Sequence, residues 1–305
     1  MVPGRTGGAA TSLSGGDGAV AEALLHGPAG AGETAAIMTE TPEDLARDQY
    51  RDSTKLNARV MLHAKYGGGG GMPNLTRELE LRPAAKVLEV GCGFGRFWLG
   101  AQHLSPDLDI MLTDLSPGMV QEALVRVRAV GRWPALHGQV ADVCALPFAD
   151  ATFDVVLAMH MLYHAADPAK GVREIARVLL PGGIAIVTTN GLGNMAELFS
   201  LGASAFGGPD ADPGAADFSL ESAEPMLRSV FAEVELRRFA STMNVTDPAD
   251  IVAYLRSFPP GDRATASEIE HLGRLADEAF SADGGVFQVH RDVGYLVARK
   301  PTLWV

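Results

Sequence analysis

Hydrophobic and polar positions follow a regular change of rhythm from residue 86 onward. After Lys86, the stretch Val87 to Val90 is a short, mainly apolar run of the kind a buried parallel strand needs. It breaks into Gly91-Cys-Gly-Phe-Gly95, and a helix-compatible stretch follows over 96–103. Residues 110–113 predict a second strand closed by Asp114, and Ser116 is placed as the N-cap of the next helix. Residues 135–140 predict a third strand. Residues 153–158 predict a fourth, which runs into Met159-His-Met-Leu-Tyr-His164. A helix over 168–180 ends at Pro181-Gly-Gly183, and 184–188 predicts a fifth strand. This alternation predicts an α/β fold with a doubly wound parallel sheet.

The flanks depart from that rhythm. Residues 1–38 are rich in Gly and Ala without a sustained period and are expected to be disordered. Thr41-Pro42, with Asp44 behind it, signals a helix start. The stretch 50–66 places Leu56, Arg59, Val60 and His63 at helical spacing, and 75–81 reads as a further helical piece. Between them Gly67 to Gly71 predict a flexible hinge. Residues 39–84 therefore read as a helical cover, and 85–305 as the main domain. Within that domain, 191–217 is a long connection carrying Met195, Leu198, Phe199, Leu201 and Phe206, a pattern that suits a lid. A helix over 220–231 and a long strand over 234–245 follow. The insertion 246–285 then carries a helix begun at Asp247-Pro248 and an amphipathic one marked by Ile269, Leu272, Leu275 and Phe280. Residues 286–298 close the chain as a hairpin or a final strand.

Composition narrows the classes. A chain of 305 residues with 47% hydrophobic positions can bury a large core, as one large domain or two small ones. A net charge of −12 argues against a broad nucleic-acid footprint. With only Cys92 and Cys144, no disulfide framework is expected, and both read as reduced thiols in a cytoplasm. No apolar run approaches the ~20 residues of a membrane span, and no signal-peptide pattern opens the chain.

The candidate chemistry sits at predicted strand ends, where open α/β sheets bind ligands. The glycine turn lacks the spacing of a dinucleotide fingerprint, because its third glycine comes one residue early, and no phosphate-loop motif is present. Glu89 lies two residues before the first glycine. Asp114 ends the second strand, where a carboxylate can accept ribose hydroxyls. Asp142 follows the third strand between Ala141 and Val143, neighbours that suit an adenine ring. Met159-His160 ends the fourth. His160 and His164 are candidate bases. His160 reads equally as a contact of a bound ligand and as a core residue, and a bracing role ahead of Pro168 is the plainer reading for His164. Arg59 and His63 share a helix face that either covers the cleft or meets solvent, and Tyr163 reads as core. No cluster has metal-ligand spacing.

These blocks together resemble the class I S-adenosylmethionine (SAM)-dependent methyltransferases from about residue 48 to 302. The likeness is strongest to actinobacterial small-molecule methyltransferases. It is carried by Tyr50, Leu56-Asn-Ala-Arg59, Val87-Leu-Glu-Val-Gly-Cys-Gly93, Leu112-Thr-Asp-Leu-Ser-Pro-Gly-Met119, Ala145-Leu-Pro-Phe148, His160-Met-Leu-Tyr-His164, Arg177-Val-Leu-Leu-Pro-Gly-Gly183 and Ala298-Arg-Lys-Pro301. The resemblance implies a seven-stranded, mostly parallel sheet and SAM as cofactor. Glu89, Gly91, Cys92, Gly93 and Gly95 would surround its methionine part. Asp114 would take the ribose, with Leu115 and Met119 beside the adenine and Ala141, Asp142 and Val143 along its edge. Tyr50, Arg59, His63 and Met159 complete the implied cofactor set. The implied acceptor is a small molecule, such as a secondary metabolite or an isoprenoid- or quinone-like compound. No nucleic-acid or membrane partner is expected, and self-association is left open. Two other readings remain: a nucleic-acid or protein methyltransferase, and a SAM-binding protein or cyclase without methyl transfer.

Overall fold

The computed structural model describes residues 53–68, 75, 79–282 and 284–302. The expectations for 1–38, for the helix start at Thr41 and for Tyr50 lie outside these residues, as does most of the glycine run after Gly67. Among the described residues, seven strands form one sheet in the order β3-β2-β1-β4-β5-β7-β6. They are β1 (Lys86–Val90), β2 (Asp109–Asp114), β3 (Leu136–Val140), β4 (Phe153–Met159), β5 (Leu179–Asn190), β6 (Glu233–Val245) and β7 (Phe287–Arg299). The first five pair in parallel. The last segment, expected as a hairpin or a strand, is a single strand, β7, antiparallel to both β5 and β6.

Each face of the sheet carries a core, which is why β1 is buried at every position from Val87 to Val90. Neighbouring side chains point to opposite faces, so Leu88 and Val87 enter different cores. Leu88, Val156 and Val187 pack with Val172 and Ile175 of α4 (Pro168–Val178) and Leu227 of α7 (Leu220–Arg228). On the other face, Val87, Leu157 and Ile186 pack with Trp98 of α2 (Arg96–Gly100) and Val127 of α3 (Pro117–Val130). As expected, Ser116 caps α3, its side chain accepting the Met119 amide.

A third core lies above the strand ends. Leu62 of α1 (Ser53–Tyr66) meets Met195 and Leu198, Tyr254 of α8 (Pro248–Leu255) and Leu272 of α9 (Ala266–Ala282). The stretch 191–217 is thus no plain loop. It contains α5 (Ala196–Phe206) and α6 (Pro213–Asp217), because its apolar residues face a partner that is distant in sequence. Polar contacts fasten the same elements. Lys55 pairs with Asp262 at 2.8 Å, the Arg59 guanidinium donates to the Ser257 carbonyl at 2.7 Å, and Tyr66 donates to Asp250 at 2.6 Å. The cover helix and the C-terminal insertion therefore form one roof.

The glycine turn sets how closely α2 and α3 approach. Gly95 has φ +79°, and a Cβ there would lie 2.7 Å from a Val127 methyl and 3.3 Å from Ala123. Gly95→Ala is expected to cost about 2–4 kcal/mol through backbone strain and overpacking together. Denaturant unfolding checks this, and a loss below about 0.5 kcal/mol, the ordinary range of surface changes, would contradict it.

Candidate active site

A cavity of about 990 Å³ opens at the carboxyl ends of the parallel strands, beneath the roof. Gly91, Cys92, Gly93 and Phe94 form its floor. At Gly91, an added Cβ would come 2.6 Å from the Met161 Cβ, so the loop after β4 rests directly on the turn. Asp114 accepts the Gly93 amide on one oxygen and the Ser116 amide on the other, both at 2.9 Å. Each oxygen keeps a lone pair for a ligand. Burial raises this carboxyl's pKa even against those two hydrogen bonds. Glu89 is buried and accepts the Trp98 indole N–H at 2.7 Å. Burial pushes it up to about 8, the Trp98 bond opposes, and the Asp114 charge adds to the rise. Cys92 is buried and its thiol is raised well above the ordinary value, chiefly by desolvation, so it stays an unreactive thiol.

The next strand ends supply the side walls. Leu115, Ala141, Asp142, Val143 and Met159 all line the cavity, and Asp142 is steadied by the Cys144 amide at 2.8 Å. His160 follows β4 with φ +53°, a conformation that non-glycine residues seldom hold. Its amide donates to the Thr188 carbonyl at 3.1 Å and the Thr188 hydroxyl at 2.8 Å, so β5 holds it in place. His164 stands edge-on to Tyr163, ring centres 4.5 Å apart. From the roof come Arg59 and His63. The protein around them favours the neutral imidazoles. Burial takes His160 to about 4, with the Arg96 and Arg291 charges adding. It takes His63 to about 4 and His164 to about 3, with Arg291 and Arg59 respectively the next largest causes.

Two of the sequence-derived contacts do not reach this wall. Gly95 faces α3, and Met119 is fully buried, because the first turn of α3 points it into the interior. Tyr163, expected in the core, is half-buried on the wall, where it also packs on α6 at Gly214. Sequence reasoning missed Arg96, Arg291, Asp212, Tyr254 and Phe258, all of which line the cavity. Arg96 carried a signal, since it follows the glycine turn directly. The others come from the insertions and β7, where no motif marks them. Among the described residues, no group of His, Cys, Asp and Glu has the geometry to hold a metal, and no helix is long and apolar enough to cross a membrane.

Known proteins resemble the chain in sequence and in fold. Residues 88–187 match the family model described as a methyltransferase domain. The chain is 32% identical over 146 residues to phosphoethanolamine N-methyltransferase 3 of Arabidopsis thaliana, covering 46% of this chain and 29% of that protein. It is 36% identical over 107 residues to the 27-O-demethylrifamycin SV methyltransferase of Amycolatopsis mediterranei (strain S699), covering 34% of this chain and 38% of that protein. Each match thus spans well under half of the relative's length. In fold, it resembles a Haemonchus contortus phosphoethanolamine N-methyltransferase 2 solved in complex with S-adenosyl-L-methionine. The TM-score is 0.55 and the identity 21%, over 87% of this chain and 61% of that one.

The buried histidines make stability pH-dependent. An imidazole with pKa near 6.5 when unfolded and about 3 when folded binds its proton only in the unfolded chain between those values. Stability should therefore fall as pH drops below about 6.5. Glu89, raised to about 8, acts with the opposite sign and lowers stability as pH rises above about 4.5. His164→Gln is expected to remove about one proton from the uptake on unfolding at pH 5. Denaturant melts at pH 5 and 7 measure this, and an unchanged slope would show that His164 is protonated in the fold.

Proposed function

We propose that the chain, whose residues 88–187 match the methyltransferase domain model, acts as a class I SAM-dependent methyltransferase and transfers the SAM methyl group to a small molecule, a secondary metabolite or an isoprenoid- or quinone-like compound. The observation that carries this reading is the composition of this cavity. Its floor has the glycine turn, Asp114 and Asp142, and its far wall has Met195, Phe199, Tyr254 and Phe258. Small-molecule sites run from about 300 to 1,000 Å³. At about 990 Å³ this one has room for a cofactor and an acceptor together.

The residues present fit SAM. Both Asp114 oxygens are pre-aligned by backbone amides and hold free lone pairs, as ribose hydroxyls require. The small turn at Gly91 and Gly93 lets a ligand approach the backbone, and Asp142 between Ala141 and Val143 suits an adenine edge. SAM supplies an electrophilic methyl group on a cationic sulfonium. Neutral histidines do not repel that charge, and the buried Glu89 adds negative potential once a cation draws its proton away. The roof excludes water and holds the acceptor in line, which supplies much of the acceleration in a direct displacement. His160 is the candidate base: it is fixed on the wall by Thr188 and unprotonated down to about pH 4. His164 sits on the short turn Leu162–His164 beside Tyr163, and bracing that turn is its simpler role.

Incubating the protein with methyl-labelled SAM and metabolite extracts, followed by mass spectrometry, tests the reading, and a folded protein that binds SAM yet labels nothing would overturn it. Asp114→Ala is expected to weaken SAM binding by about 1–3 kcal/mol, read by calorimetry. Unchanged affinity in a folded variant would remove the ribose role. His160→Ala is expected to lower kcat roughly 10²–10⁴-fold while SAM still binds. The wild-type kcat should keep its acid limb near pH 4 rather than 6.5, because the imidazole stays neutral to about 4. Full turnover in His160→Ala would leave proximity alone as the source of catalysis.

A further inference from the structure

One corner of the cavity is not used by any step above. Arg291 lies on β7 just past the end of β5: Asn190 stands opposite Val293, and Arg291 stands opposite Ser241 of β6. Its half-buried side chain lines the cavity beneath the C-terminal end of α1, and a Cβ on Gly67 would lie 3.1 Å from its Nη1. Among the described residues its Nε is shielded from solvent and has no hydrogen-bond partner. The carboxylates beside its chain neighbours are already matched, Asp292 with Arg238 and Glu197, which accepts the His290 amide, with His290. Desolvation lowers the pKa of Arg291, and no carboxylate among the described residues offsets it. His63 faces the same corner, its Nδ1 equally shielded and unpaired among the described residues. Arg291 is the foremost charge acting on that imidazole. Cations withdrawn from water are normally paired. The wall beyond is apolar, with Met195, Phe199, Tyr254 and Phe258.

We propose that Arg291, with His63 beside it, seats an acidic group of the methyl acceptor, which is therefore a small acid: a carboxylate or phosphate monoester on an apolar body. This rests on the methyl-transfer reading. The cofactor's own carboxylate has a separate cation available. Arg96 opens α2 directly after the glycine turn, lines the same cavity, and has no carboxylate partner among the described residues. The two guanidiniums come from different parts of the wall: Arg96 follows the glycine turn, and Arg291 lies on β7 beside Gly67 at the end of α1. A guanidinium fork takes one carboxylate or phosphate side-on, so one cofactor carboxylate engages one fork and leaves Arg291 for a second anion.

The test uses the full chain loaded with S-adenosylhomocysteine and three probes that share one apolar body: phenylbutyrate, phenylbutyl phosphate and phenylbutanol. Calorimetry should show the wild type preferring at least one acidic probe over the alcohol by roughly 10–100-fold, the range of a charge-assisted hydrogen bond. Arg291→Ala should abolish that preference while S-adenosylhomocysteine affinity holds. Arg291→Gln, which keeps the bulk of the side chain, should do the same should the alanine variant fold poorly. Comparing the two acidic probes separates a carboxylate acceptor from a phosphorylated one. Equal binding of acid and alcohol by the wild type overturns the proposal. So does a loss of S-adenosylhomocysteine affinity in Arg291→Ala that Arg96→Ala does not share, since the seat would then belong to the cofactor. A wild type that binds no S-adenosylhomocysteine defeats the underlying methyltransferase reading instead, and the acid preference is still read on the protein alone.

Discussion

The turn 91–95 is the constraint on which the rest of the structure depends. Its three glycines all have positive φ, and each permits a different neighbour to come close. Met161, on the loop after β4, rests on Gly91; Leu56 of the cover helix rests on Gly93; Val127 of α3 rests on Gly95. A side chain at Gly91 or Gly93 would push away one wall of the cavity, and one at Gly95 would push away α3 behind it. The same turn presents the Gly93 amide to Asp114, tying the ends of β1 and β2 together. Ligand approach and wall packing are thus two consequences of one local conformation.

Electrostatics inside the cavity follow from that closeness. Once the loop, the roof and α2 meet over the strand ends, titratable groups there lose water and drift toward their neutral forms. His63, His160 and His164 fall well below the usual imidazole range, Glu89 rises above the usual carboxylate range, and burial raises Asp114 from its ordinary value. Such a cavity favours a ligand that brings its own charge. On the floor side stand the carboxylates of Glu89, Asp114 and Asp142. In the corner below α1, Arg291 awaits an anion. The apolar surface between them belongs to the roof.

The roof is assembled from segments distant in the chain. Its core joins Leu62, from before the first strand, to Met195, Tyr254 and Leu272, drawn from two insertions far apart in the chain. The contacts of Lys55, Arg59 and Tyr66 with Asp262, Ser257 and Asp250 fasten the same segments at their polar edges. Access to the cavity therefore depends on segments that pack mainly on one another, above the sheet that carries the strand ends.

The amino-acid pattern alone determined the alternation of strands and helices, the doubly wound sheet, the glycine turn and the strand-end residues Asp114, Asp142 and His160. Each is a local property: period, turn chemistry, or position after an apolar run. It also marked Arg59 and His63 as one helix face, without deciding whether that face met solvent or the cleft. Only the tertiary structure decided that, because the answer lies in contacts with Ser257 and Tyr254, some 200 residues away. The same holds for the helices within 191–217, for the antiparallel insertion of β7 between β5 and β6, and for Arg291. Gly95 and Met119 show the converse: their place in a motif is local, but the direction they face is set by how α3 packs. Periodicity specifies which residues share a face. Which faces meet is specified by burial across the whole chain, and no local window contains that information.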